Sequence, residues 1–213
     1  MRDAVNGGDV VLTIDRTIQH EACSKLQKAV ARHGASGGSV VILDPQTGAV
    51  FAMCSAPDFD PANYGDTKNL NAFNNPATFA QYEPGSVFKA FTMAVGLDED
   101  KVTPKTTYVD TGVEEIDGFK IKNSDGKAHG EATMIQVLDE SLNTGTIFVQ
   151  RRVGQGAFRS GVEKFGFGKP AGIELTPEAK GDISSLSKKG NVFAATASFG
   201  QGISVTPLQL AAA

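Results

Sequence analysis

Tyr82-Glu83-Pro84-Gly85-Ser86-Val87-Phe88-Lys89 is the stretch on which the reading of this chain turns. Pro84 and Gly85 fix a turn, and from there the apolar positions Val87, Phe88, Phe91 and Val95 predict a helix over residues 86–97. Residues three apart on a helix share a face, so the Ser86 hydroxyl and the Lys89 ammonium come within reach of each other. A serine hydroxyl is a weak nucleophile until a base takes its proton. Lysine can be that base when burial or nearby positive charge lowers its pKa, and the positive end of a helix dipole acts in the same direction. The pattern has a physical route to nucleophilic catalysis. Alone it is also a spacing that arises by chance, with a solvated lysine.

Further along comes Ser141-Leu142-Asn143, at the end of a helix that Ile135, Leu138 and Leu142 predict over residues 133–142. A hydroxyl and a carboxamide two residues apart can project to one side of a tight turn. There the serine could relay a proton while the asparagine donates to and accepts from a substrate amide. The same residues could simply end a helix, where Asn and Gly145 are common. Upstream, residues 9–15 (DVVLTID) have the β-branched content of a strand. Ile14, Ile18, Ala22, Leu26 and Val30 then predict an amphipathic helix, with Asp15 as its N-cap and Gly34 as its stop. Residues 39–43 and 49–53 predict a β-hairpin around Asp44-Pro45-Gln46-Thr47-Gly48. Residues 56–85, with Pro57, Pro61, Pro76 and Pro84, show no periodicity, which in a compact domain points to a stretch that carries function.

Residues 106–122 read as an exposed hairpin excursion. Helices are expected over residues 146–152, 156–165 and 191–199, the stretch from Ile183 is expected to be a loop, and Thr206-Pro207 begins a last helix. No internal repeat and no linker divides the chain, so residues 1–213 are expected to belong to one domain.

The composition excludes more than it identifies. Of 213 residues, 40% are hydrophobic and 21% charged, with a net charge of −4. These are ordinary globular proportions, and they lack the basic footprint of a nucleic-acid surface. No run approaches the roughly 18 apolar residues of a membrane span. Residues 1–15 lack the apolar core of a signal peptide. Cys23 and Cys54 belong to no CxxC pair and read as two small buried thiols; whether they pair as a disulfide stays open. His20-Glu21 begins a zinc-protease HExxH, but Ser24 stands where the second ligand belongs, so no metal is expected. Gly34-Ala35-Ser36-Gly37-Gly38 matches a hydrolase elbow, yet it follows a helix and precedes a strand, the reverse of what that elbow needs. No phosphate-cradling loop occurs, and no cofactor is expected.

Taken together, the ordered stretches resemble a known family. Residues 9–19 (DVVLTIDRTIQ), 44–53 (DPQTGAVFAM) and 82–89 (YEPGSVFK), then Ser141-Leu142-Asn143, stand in the order and spacing of penicillin-binding protein transpeptidase domains. Gly172-Ile173-Glu174-Leu175 with Glu178 and Gly181, then Phe199-Gly200-Gln201-Gly202 and Val205-Thr206-Pro207-Leu208-Gln209-Leu210, continue the match. The Tyr-Glu-Pro-Gly approach to Ser86 resembles the monofunctional class B branch.

The resemblance implies an α/β fold of the β-lactamase/transpeptidase kind, with an antiparallel sheet flanked by helices and an all-helical subregion. It implies a D,D-transpeptidase in which Ser86 attacks the D-Ala-D-Ala carbonyl of a peptidoglycan stem peptide. Lys89 would be the base, Ser141 a proton relay and Asn143 a substrate-holding residue, with an amine acceptor completing the cross-link. β-Lactams would acylate Ser86, cell-wall synthesis proteins would be partners, and the site would face outward from a bacterial membrane. The family's third motif, Lys-Thr/Ser-Gly, does not occur: Lys105-Thr106-Thr107 is nearest and precedes Ser141. The expectation is therefore a partial domain, incomplete at its C-terminus and weakly active or inactive by itself, with a membrane anchor upstream. A serine β-lactamase and a non-catalytic β-lactam sensor are the alternatives. A role in elongation, division or sporulation stays open.

Overall fold

The structure, a computed structural model, describes residues 7–213. Two compact units emerge, Met1–Ala77, of which residues 7–77 are described, and Thr78–Ala213.

In the first unit α1 (Arg16–His33) begins and ends as its sequence dictates. The Asp15 carboxylate accepts the backbone N–H groups of Thr17 and Ile18, each at 2.9 Å, and Gly34 closes the helix in the left-handed region at φ 61°. Strands β1 (Gly38–Leu43) and β2 (Val50–Ala56) form an antiparallel hairpin in which Val40 faces Cys54. The side-chain amide of Gln19 on α1 joins this hairpin like a short strand. It donates to the Met53 carbonyl at 2.9 Å and accepts the Met53 N–H at 2.8 Å. One helical turn on, Cys23 lies beside Cys54, and both are free thiols. Burial, with the hydrogen-bonded Cys23 thiol next to it, pushes Cys54 up to about 12.

Residues 9–15 do not form the expected strand. Asp15 N–H reaches the Phe51 carbonyl at 3.0 Å and Thr13 Oγ1 the Val50 carbonyl at 2.8 Å, while Val11 is 93% exposed. β-Branched content favours a strand only where a partner ladder exists. Residues 56–85 hold two short 3-10 turns, Pro61–Asp66 and Leu70–Phe73, and the one-turn helix α2 (Pro76–Phe79).

The regular structure of the second unit is mainly helical: α3 (Lys89–Asp98), α4 (Met134–Asp139), α5 (Asn143–Val153), α6 (Gln155–Lys164), α7 (Asn191–Ala197) and α8 (Pro207–Ala212). Between α3 and α4 the chain makes an excursion that exceeds the hairpin expected over residues 106–122, with four strands, β3 (Thr107–Asp110), β4 (Val113–Ile116), β5 (Phe119–Lys122) and β6 (Gly130–Thr133). Strands β4 and β5 form its tip, and β3 with β6 its base, both pairs antiparallel. The excursion is not exposed throughout: Tyr108, Asp110, Ile116 and Asn123 are buried. The mixed α/β architecture with an all-helical region is as expected, its described strands being distributed over three two-stranded ribbons.

The core is built on Phe88, Met93, Val137, Leu142, Val149, Phe158, Val162 and Phe167. Phe88 is wholly buried and packs on Phe91 and Phe167 with ring centroids 5.5 and 5.2 Å away. Aromatic pairs at such spacing add to the area they bury. The loop expected from Ile183 contains a 3-10 turn, Ser184–Ser187, before α7. Thr206 and Gln209 form a reciprocal capping box with Pro207 in the first turn, so α8 starts where Thr206-Pro207 predicts.

Candidate active site

Ser86 does not open an α-helix. Gly85–Phe88 is a turn of 3-10 helix that runs directly into α3. With three residues per turn, side chains at i and i+3 of a 3-10 helix eclipse, which aligns Ser86 with Lys89 more directly than α-helical spacing does. The buried Phe88 ring anchors the turn from within, while Ser86 and Val87 are exposed.

A strap of later residues holds the approach. Tyr82 and Val205 exchange backbone hydrogen bonds at 3.1 and 3.0 Å, and Gly85 N–H donates to the Gly200 carbonyl at 3.0 Å. The Glu83 carboxylate accepts the Gly202 N–H at 2.8 Å. Gly200 has φ 80°, and a Cβ there would lie 2.2 Å from the Gly85 carbonyl oxygen, so only glycine permits this approach. Thr92 on α3 donates to the Ser198 carbonyl at 2.8 Å, fixing the end of α7 to the same helix.

Lys89 is 2% exposed. Its ammonium donates to Ser141 Oγ at 2.9 Å and to the Ser141 carbonyl oxygen. None of the ion pairs among the described residues includes it. Burial without a compensating carboxylate disfavours the charged form, and the Lys89 pKa falls from 10.5 to about 8. Its hydrogen bonds go to Ser141 and not to Ser86.

Ser141 is not the last residue of a helix, as the periodicity over residues 133–142 suggests. Helix α4 stops at Asp139, and Ser141 sits at φ 52°, the left-handed region. Leu142 N–H reaches back to the Val137 carbonyl at 2.9 Å and Ser141 N–H to that of Leu138 at 3.2 Å. These are the two bonds of a Schellman ending, with buried Leu142 and Val137 as its apolar pair. Glycine is the usual residue at the left-handed position, and a serine there costs about 1–2 kcal/mol. The chain thus sets a hydroxyl where local preference asks for glycine. Helix α5 begins at Asn143, three residues earlier than its apolar pattern suggests, because the turn ends at Leu142. Asn143 Nδ2 donates to the Lys122 carbonyl on β5 at 2.8 Å, so one face of its amide is anchored to the excursion.

The model of the penicillin binding protein transpeptidase domain matches residues 38–213. The chain belongs to that family. Among curated proteins, this transpeptidase chain is 36% identical over 209 residues to stage V sporulation protein D of Bacillus subtilis, covering 98% of the chain and 32% of the relative. It is 32% identical over 209 residues to the peptidoglycan D,D-transpeptidase FtsI of Escherichia coli, covering 98% of the chain and 35% of the relative. The chain spans about a third of the length of these relatives. Among solved structures it superposes on apo penicillin binding protein 3 from Mycobacterium tuberculosis with TM-score 0.88 at 31% identity, covering 99% of this chain and 47% of the other. The same protein complexed with aztreonam matches equally well.

Of the four residues singled out from the sequence of this transpeptidase-family chain, Lys89 and Ser141 are in direct contact. Ser86 lies one 3-10 turn before Lys89, and Asn143 follows Ser141 across the turn. No sequence signal marks Glu83, which holds the approach to Ser86 through Gly202, or the buried Asp110 and Asn123, which bond to Thr144 in the first turn of α5. Glu83 and Gly85 stand within residues 82–89 and Gly202 and Gly200 in the Phe-Gly-Gln-Gly stretch, but the hydrogen bonds that pair Glu83 with Gly202 and Gly85 with Gly200 have no sequence signature.

Proposed function

We propose that the protein is a serine D,D-transpeptidase that cross-links peptidoglycan stem peptides through an acyl-enzyme on Ser86. One observation carries the reading: a buried lysine without a carboxylate partner, its pKa lowered to about 8, follows an exposed serine by one 3-10 turn and contacts a second serine. The names of the relatives, one of them a peptidoglycan D,D-transpeptidase, supply the substrate class.

In this reading neutral Lys89 takes the Ser86 proton as Ser86 Oγ attacks the carbonyl carbon between the two terminal D-alanines. The Ser86 N–H, in the first turn of a 3-10 helix and so without a partner inside it, is placed to stabilise the oxyanion. The tetrahedral intermediate collapses with release of D-alanine, whose nitrogen receives the proton from Lys89 through the Ser141 hydroxyl. Asn143, anchored at Lys122, presents the rest of its amide to the donor peptide backbone. An amine from a neighbouring stem peptide then attacks the ester and frees Ser86. A β-lactam would acylate the same serine, as the aztreonam complex of the mycobacterial relative suggests. Residues 1–213 are read as part of one such transpeptidase domain. The enzyme would act at the outer face of the bacterial cell membrane, held by a segment outside this sequence and working with other cell-wall synthesis proteins.

The test is labelling of the full protein with a fluorescent penicillin. The expected result is a long-lived, stoichiometric adduct mapped to Ser86 and lost in Ser86→Ala. Rapid hydrolytic turnover of the penicillin would favour a β-lactamase instead. An adduct that survives Ser86→Ala would remove the nucleophile from this reading.

A further inference from the structure

Behind the Ser141–Asn143 turn lies a buried carboxylate with no cation. Asp110, the last residue of β3, is 1% exposed. Its Oδ1 accepts the Gly112 N–H at 2.8 Å and the Thr144 hydroxyl at 2.8 Å. Its Oδ2 accepts Asn123 Nδ2 at 2.8 Å and the His129 N–H at 3.0 Å. None of the ion pairs among the described residues includes it, so four neutral donors hold the group. Carboxylates are rarely buried so fully without a paired charge.

The donors lead back to the candidate site. Leu142 is the N-cap residue of α5 and has no side chain that can cap it. The task falls to Asn123 at the end of β5: 4% exposed, it accepts the Thr144 N–H on Oδ1 at 3.2 Å and donates Nδ2 to Asp110 and to the Lys127 carbonyl. Asp110 fixes which way this amide faces, because only its N–H₂ end can meet the carboxylate. The Thr144 hydroxyl has one proton and donates it to Asp110 Oδ1 at 2.8 Å, closer than Asn123 Oδ1 at 3.2 Å, so the Tyr108 hydroxyl 3.0 Å away donates to Thr144. Every acceptor site on Asp110 is thereby tied either to the excursion or to the first turn of α5. The left-handed Ser141 immediately upstream is a conformation that persists only where its surroundings over-determine it. The Schellman bonds constrain that turn from the α4 side, and the Asp110 cluster constrains it from the α5 side.

We propose that Asp110 is a positioning residue for acyl transfer: through Asn123 and Thr144 it holds the Ser141-Leu142-Asn143 turn in register with Lys89. The proposal rests on the reading of Ser86, Lys89 and Ser141 as the acyl-transfer groups. An asparagine at position 110 has the same shape, but in either orientation its amide nitrogen would face a backbone donor, Gly112 on one side or His129 on the other. A valine at position 144 keeps the volume of threonine and removes the hydroxyl that joins Asp110 to α5.

The experiment measures the time course and final stoichiometry of fluorescent-penicillin labelling across ligand concentrations, together with thermal midpoints. It uses the full protein as wild type, Asp110→Asn, Thr144→Val, Thr144→Ser and Ser86→Ala. Displacement of a reacting group by about 1 Å can cost on the order of a hundredfold in rate, so Asp110→Asn and Thr144→Val are expected to slow the acylation step at least about tenfold. Their initial penicillin affinity should change far less, and labelling should still reach full stoichiometry. Thr144→Ser keeps the hydroxyl and should recover most of the lost rate. The proposal is overturned if Asp110→Asn or Thr144→Val acylates at the wild-type rate. It is equally overturned if they lose only stoichiometry and thermal midpoint while the folded fraction reacts normally, since that is the mark of a purely structural role. If Asp110→Asn does not fold, Thr144→Val against Thr144→Ser decides. Labelling that persists in Ser86→Ala would remove the acyl-transfer reading and this inference with it, whereas normal loss in Ser86→Ala with full speed in Asp110→Asn removes only the inference.

Discussion

Two helices in this chain start by opposite means. Helix α1 is capped from within, by the Asp15 carboxylate on N–H groups two and three residues ahead. Helix α5 opens on Leu142, which cannot cap, and the Thr144 N–H in its first turn is met by Asn123, 21 residues away. The contrast extends to burial: the 18 residues of α1 include none that is buried, whereas the 11 of α5 include Thr144, Gly145, Thr146, Ile147, Val149, Gln150 and Val153. A self-capped helix forms by local chemistry and can be changed locally. A helix capped by a distant strand transmits each change at its N-terminus to whatever shares that turn, here Ser141 and Asn143.

Two glycines of like backbone give the comparison its sharpest break point. Gly48, in the β1–β2 turn, has φ 74°, and a Cβ added there would meet no atom within 4 Å. Gly200, in the strap over Gly85, has φ 80°, and its Cβ would lie 2.2 Å from the Gly85 carbonyl oxygen. Both glycine-to-alanine changes incur the left-handed penalty of about 1 kcal/mol. Gly200→Ala adds a backbone collision and should destabilise by about 3 kcal/mol in denaturant melts while displacing Ser86 and slowing penicillin acylation. Gly48→Ala should leave the folded protein's acylation rate as it is. Equal losses would mean that the strap does not set the site.

The caps come next in size. Asn123→Ala strands the Thr144 N–H and takes a donor from Asp110, so about 2–3 kcal/mol is expected, together with slower acylation. Asp15→Ala should cost about 1 kcal/mol in the same melts and leave acylation of the folded protein intact. The comparison between local and remote capping fails if the two variants have the same effect on rate.

The smallest expected effect tests the Ser141 conformation. Ser141→Gly and Ser141→Ala lose the same hydroxyl, but glycine accepts φ 52° freely. Ser141→Gly should therefore be the more stable of the two by about 1 kcal/mol, both having impaired acylation. Equal stability would show that the turn carries no left-handed strain.

The same contrast explains what could be read from the sequence. Asp15, Gly34, the Asp44–Gly48 turn and the Thr206-Pro207 start each carry their own short-range chemistry, and the structure places α1, the hairpin and α8 where they indicate. Ser86 and Lys89 could be proposed as a pair because three-residue spacing is itself geometry, whereas the contact that Lys89 makes with Ser141, 52 residues away, has no such signal. The strand expected over residues 9–15 failed because propensity does not say whether a partner ladder is present. The helix boundary at Ser141 failed because an apolar pattern continues through a left-handed turn that no glycine marks. Asp110 was hidden inside a stretch that read as exposed and Asn123 just beyond its end, since a buried polar cluster becomes visible only when residues far apart in sequence are brought together.

The most direct test of the account is the pH–rate profile of penicillin acylation at Ser86, measured on the full protein and on Lys89→Ala. Burial sets Lys89 near 8, and only its neutral form can accept the Ser86 proton. The rate should rise about tenfold per pH unit below that value, level off above it, and fall about 10²–10⁴-fold with loss of the inflection in Lys89→Ala. A wild-type rate that is flat through this range, or a Lys89→Ala variant that keeps the same inflection, would contradict the assignment of Lys89 as the base.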